Sequence, residues 1–149
     1  MEQKEKELLL VDLSARLLYG VICQIYDPQQ DYGEDIFDAR LIHIDAWTSH
    51  CYFWGCSETD PYKIEQVKPY LRPMSSMTEE DNISLSKYVG CSIRAKYGEI
   101  YFPNIEDNTL NKFEKVFNWL NANHFDYRGL IPKGLAIEAA EGMYNLKGE

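Results

Sequence analysis

The sequence predicts an α+β fold: a curved antiparallel sheet or small open barrel of four to six strands, with a C-terminal helix packed on it. Three observations carry this. Short runs rich in β-branched and aromatic residues follow one another between Tyr19 and Tyr101, separated by turn residues. One long segment, Asn108 to His124, has apolar residues at helical spacing. Strand-then-helix order, without alternation of the two, argues for an antiparallel sheet rather than a parallel one with crossovers.

The elements follow in order. "KELLLVDLSARLLYG" (Lys6 to Gly20) opens with a compact apolar group and then interleaves Asp12, Ser14 and Arg16 with Leu13, Ala15 and Leu17. A short helix or turn fits it, and a strand stays open. "YGVICQIYD" (Tyr19 to Asp27) reads as a strand closed by Asp-Pro. "ARLIHIDAW" (Ala39 to Trp47) is a second, placing Leu41 and His43 on one face and Ile42 and Ile44 on the other. "HCYFWG" (His50 to Gly55) follows after only "TS", which suits a hairpin. In "YKIEQVKPYLRP", Pro69 and Pro73 confine any strand to an edge or to its ends.

In "MSSMTEED", Ser75, Ser76 and Thr78 can each cap a helical turn, and Ser76-x-x-Glu79 has capping-box spacing. Glu79, Glu80 and Asp81 then lie at the positive end of that turn. "NISLSKYVG" alternates Ile83, Leu85 and Lys87, as a weak strand would. "CSIRAKYGEIYFPN" reads as a hairpin turning near Gly98 and ending at Pro103. The helix from Asn108, its cap, carries Leu110, Phe113, Val116, Phe117 and Leu120 on one face. Phe113, Val116, Phe117 and Leu120 are expected to be buried against Val21, Cys23 or Ile25 and against Ile42 or Ile44. Gly129, Pro132, Gly134 and Gly142 keep the tail from forming one long helix, and its apolar residues suggest that it packs back onto the sheet.

With 149 residues and 45% apolar content, the chain can bury a real core as a single domain, 1–149. No apolar run reaches the length needed to span a bilayer. The N-terminal residues lack a signal-peptide core and cleavage site, so the expected compartment is the cytoplasm, with no membrane partner.

Charge is distributed unevenly. Residues 1–60 hold 12 acids against 4 bases, and residues 61–149 hold 12 against 11. "DPQQDYGEDIFD" contributes Asp27, Asp31, Glu34, Asp35 and Asp38 with no base among them. Such a segment repels phosphate backbones, so direct nucleic-acid binding is not expected. It is either a solvated acidic loop or a docking surface for a basic partner, and these five acids are the candidate docking residues.

The other chemistry is sparse. There is no phosphate-binding glycine loop, dinucleotide fingerprint, zinc-protease motif or nucleophile elbow. Cys51 and Cys56 lie five apart near His43 and His50, but Cys91 and His124 do not supply a second pair at zinc spacing. Neither metal nor cofactor is expected, and the thiols read as small hydrophobes. His43 alternates with apolar strand residues, and His124 ends a helix where a cation suits the dipole. No catalytic residue stands out, so an enzyme ranks below a binder. A small-molecule binder, for instance one that sequesters a nucleotide signal, is the alternative. Its candidate residues come from the more basic part: Tyr70, Arg72, Arg94, Lys96, Tyr97, Tyr127 and Arg128, able to stack on and clamp a ligand, with a homo-oligomer interface as the expected place for such a pocket.

Three runs, "DLSARLLYGV", "VKPYLRPMSSMTEED" and "WLNANHFDYRGLIPKGLAIEAAEGMY", together resemble a family of small uncharacterised proteins encoded by gut anaerobic bacteria and by their phages and mobile elements. The chain departs from that pattern at Leu18, where the family has proline, and residues Asp27 to Thr59 lie outside the likeness. The resemblance implies a genomic setting, and in that setting a host protein is the partner expected for the acidic surface. It implies no reaction and supplies no site residue.

Overall fold

A computed structural model describes residues 1–30, 33–56, 59–96, 99–101 and 109–144, with backbone alone at 29, 30, 33, 34, 95, 96 and 109. The chain is α+β, with three α-helices and a six-stranded, mostly antiparallel open sheet. It divides into two compact units. The first comprises residues 1–71 and 128–139, and the second comprises 72–127 and 140–149.

The first unit opens with α1 (Gln3–Arg16). The Glu2 N–H donates to Glu5 Oε2 at 2.9 Å, closing the helix start. Leu9 and Leu13, four residues apart, are fully buried on one face. A 3₁₀ turn (Leu17–Tyr19) then ends at Gly20, whose φ of +66° is left-handed. A Cβ there would also meet the Arg40 side chain at 3.3 Å. The open choice at Lys6 to Gly20 therefore resolves as helix.

The sheet consists of β1 (Ile22–Gln30), β2 (Gly33–Asp45), β3 (His50–Phe53), β4 (Tyr62–Lys63), β5 (Val67–Leu71) and β8 (Ile137–Glu138). Their order is β4-β3-β2-β1-β5-β8, and only β5 and β8 are parallel. The sheet stays open. β1 and β2 form one long hairpin, pairing Cys23 with Ala39, Ile25 with Phe37 and Asp27 with Asp35. The described residues of the acidic segment, which leave out 31 and 32, are thus strand, which corrects the reading of a solvated loop. β3 returns from β2 as the sequence predicts. A bulge between Leu41 and His43 breaks strict alternation. As a result Leu41 and Ile44 both pack into the core, while Ile42 is 44% exposed. Cys23, Ile25, Cys51, Phe53, Ile64 and Val67 join Leu9 and Leu13 in that core. The tail returns as β8, with Leu130 and Leu135 in the same cluster.

The second unit has its own core. A 3₁₀ turn (Met74–Ser76) leads to α2 (Glu79–Val89), then β6 (Arg94–Lys96), β7 (Glu99–Tyr101) and α3 (Thr109–Ala122). The helix cap is Thr78, whose Oγ1 accepts from the Asp81 N–H at 3.2 Å while Asp81 Oδ2 accepts from the Thr78 N–H at 2.9 Å. The capping box is therefore Thr78–Asp81, shifted two residues from the Ser76–Glu79 expected, because Ser76 is used to close the preceding turn on the Pro73 carbonyl. "NISLSKYVG" is helix, not strand: Asn82, Leu85 and Val89 recur at 3–4 spacing and are buried, and Gly90 ends it in a left-handed conformation. β6 and β7 form the expected hairpin, although Gly98 and Pro103 lie outside the described residues.

α3 falls where the apolar spacing places it, with its Asn108 cap outside the described residues. Val116, Trp119 and Leu120 are buried together with Leu85, Val89, Ile93 and Phe125. The expected packing of Phe113, Val116, Phe117 and Leu120 on Val21, Cys23 and Ile25 is corrected: Val116 and Leu120 belong to the α2 cluster, and Phe117 is 45% exposed. It is α1, with its narrower run of leucines, whose face fills the core of the sheet. No helix among the described residues is long and apolar enough to cross a membrane.

Candidate acidic and aromatic groove

The hairpin that carries the acids explains their placement. Side chains two apart on a strand share a face, and directly paired residues share it too. Cys23, Ile25 and Asp27 of β1 therefore lie on the same side as Ala39, Phe37 and Asp35 of β2. Near Cys23 that face is sealed core. Farther along the hairpin it becomes polar and lines a groove of about 1030 Å³.

Asp27 and Asp35 of that face line the groove together with Asp60 from the segment before β4, while Asp38, paired with Gln24 and so turned to the opposite face, borders it. Rings stand among them. Tyr62 packs edge-on to Phe37 at 5.9 Å and to Phe53 at 6.1 Å, so its ring is fixed from two sides. Its hydroxyl donates to Asp27 Oδ2 at 3.2 Å. Burial, followed by that hydrogen bond and the Asp27 charge, pushes the Tyr62 hydroxyl up to about 12. Trp54, one residue past β3 and 75% exposed, completes the aromatic lining, and Tyr26, on the alternate face of β1, borders the groove. Burial and then the Asp27 charge raise the Cys56 thiol as well. Lys63 and His50 are the basic lining residues. Among the described residues, neither Asp35 nor Asp60 is in an ion pair.

Of the five candidate docking acids, three border this groove. Asp38 does so while its carboxylate accepts from the Tyr70 hydroxyl at 2.9 Å, and Tyr70 in turn accepts from Gln24 Nε2 at 3.2 Å. Burial, and then the Asp38 bond, raise the Tyr70 hydroxyl. Glu34 lies on β2, with its side chain not described, and Asp31 lies outside the described residues. Trp54, Tyr62 and Asp60 were not singled out from sequence. The signal for Trp54 was present: an aromatic residue next to Gly55, one past the alternating buried positions Cys51 and Phe53.

The alternative ligand set is divided between the two units. Tyr70 and Arg128 belong to the first unit, and Arg72, Arg94 and Tyr127 to the second. Arg128 donates to Asp12 at 2.9 Å. Arg72 donates to Asp81 at 2.8 Å, with its guanidinium 4.1 Å from the Phe125 ring centroid. Tyr127 donates to Asn121 at 3.1 Å and its ring lies 5.3 Å from Phe117. Arg94 is exposed on β6, the Lys96 side chain is not described, and Tyr97 lies outside the described residues. No group of three or more metal-ligating side chains occurs among the described residues.

Comparisons with protein-family models, with curated proteins and with solved structures find no match.

Proposed function

We propose that this protein is a non-enzymatic binding protein that docks a basic partner protein in the acidic groove of its first unit. One observation carries the reading: Asp27 and Asp35 from the hairpin and Asp60 from a separate segment line the same groove as Trp54 and Tyr62. Carboxylates attract a cationic surface at long range, and ring faces hold its cations at contact. Asp27 and Asp35 are directly paired across the hairpin, an arrangement of like charges that disfavours the isolated fold and that a bound cation relieves. If the likeness to proteins of phages and mobile elements holds, the partner is a protein of the bacterial host.

The test uses a fluorescent basic peptide of about ten residues and measures anisotropy at low and at moderate salt. Binding is expected to weaken steeply with salt, and the joint change Asp35→Asn with Asp60→Asn is expected to slow association. Binding that ignores both salt and the two substitutions would remove the proposal.

A further inference from the structure

Resting on that docking reading, we infer that the groove is selective for arginine: it takes an arginine side chain of the partner, with the guanidinium set between Asp27 and Asp35 and stacked on the neighbouring rings. The pairing of these two aspartates supplies the geometry. Directly opposed residues of an antiparallel pair hold their Cβ atoms about 4.5–5.5 Å apart on one face. Two carboxylates so spaced present several acceptor positions on either side of a narrow slot. A planar guanidinium, with five donors in a fixed fork, can donate to both at once. A compact ammonium offers three donors from one point and gives up its water reluctantly.

The rings make the same distinction. Trp54 and Tyr62 line the groove with the acids, and a guanidinium stacks on such faces while remaining hydrogen-bonded at its edge. Tyr62 also fixes its aspartate: its hydroxyl holds Asp27 Oδ2, and Phe37 and Phe53 hold its ring. An acceptor that is already oriented loses less freedom when the cation arrives. The volume of about 1030 Å³ exceeds what one side chain fills, which leaves room for the backbone and neighbours of an extended segment.

The experiment compares three peptides of equal length in a Gly-Ser background, carrying two arginines, two lysines or two citrullines, by titration calorimetry at one ionic strength. The arginine peptide is expected to bind at least about fivefold tighter than the lysine peptide, and the citrulline peptide not at all. Asp35→Asn should abolish the preference for arginine, and Trp54→Ala should reduce it, with circular dichroism confirming that each variant is folded. Equal affinity for arginine and lysine, still sensitive to Asp35→Asn, would overturn the arginine assignment while leaving the docking reading in place. Failure of both charged peptides to bind, or equal binding of citrulline, would overturn both.

Discussion

Asp12 and Arg16, one turn apart on α1, meet through two hydrogen bonds of 2.8 and 2.9 Å with both side chains sealed from solvent. Arg128 donates to the same carboxylate at 2.9 Å, so one aspartate serves two guanidinium groups and ties α1 to the returning tail of its unit. Asp12→Ala would leave a buried arginine without its counter-charge, and an expected loss of about 3–5 kcal/mol follows, read from urea denaturation. Joint replacement by Leu at 12 and Met at 16 should recover much of that loss. A cost below about 1 kcal/mol for Asp12→Ala would show that the pair does not hold the unit together.

Stability should decline in alkali. Burial pushes the Cys51 thiol up to about 12, and Tyr62 reaches the same value. Both are raised above their unfolded values, so each contributes stability that is intact below the unfolded value and lost as pH climbs through the folded one. The window for Cys51 runs from about pH 9 to 12, and that for Tyr62 from about pH 10 to 12. Urea midpoints at successive pH values should fall across this range, and Tyr62→Phe should flatten the upper part of the decline. In the native protein at pH 8, Cys23 and Cys51 should resist a thiol reagent until denaturant is added.

On α3, neighbouring positions should respond very differently. Leu120 is 1% exposed within the second core, so Leu120→Ala is expected to cost about 2–5 kcal/mol. Phe117 is half-exposed and leans on Tyr127, so Phe117→Ala should cost about 1 kcal/mol. Equal losses in chemical denaturation would contradict the assignment of faces.

Asp81 has three partners at one oxygen: the Thr78 N–H, the Thr78 hydroxyl and Arg72 Nη2. Thr78→Ala removes the cap alone and is expected to cost about 1 kcal/mol. Asp81→Ala removes the reciprocal cap and the ion pair together and should cost more. If Thr78→Ala proves the costlier change, the helix start does not depend on the shared carboxylate.

The sheet's hairpins and α3 were legible because local pattern decides them: alternation and turn residues for the strands, 3–4 spacing for the helix. α1 and α2 were not. Leu8, Leu9 and Leu10 run consecutively, and Ile83, Leu85 and Lys87 alternate, so their periodicity is ambiguous until the buried set, Leu9 with Leu13 and Leu85 with Val89, is known. The partner of α3 was also beyond reach, since an apolar stripe does not say which other stripe it meets. As for the groove, the acids were visible as a run of charge. Their pairing across a hairpin and the arrival of Asp60, Tyr62 and Trp54 from later in the chain are tertiary facts with no local trace.

The order in which a ribosome delivers this chain conflicts with the order in which its sheet is completed. β8 pairs with β5 at Leu71 and Glu138, so the first unit cannot finish its sheet until the whole of residues 72–127 has been made. That inserted stretch closes on itself: Arg72 N–H donates to the His124 carbonyl and Asp126 N–H to the Arg72 carbonyl, each at 2.8 Å. Once it has folded, its two ends are neighbours, and the wide loop that β8 had to close shrinks to about a dozen residues. On chain-entropy grounds that lowers the closure cost by roughly 1.5 kcal/mol. A folded second unit is thereby expected to hasten completion of the first. Its premature unfolding would slow the last strand's return and leave β5 as a bare edge open to other chains.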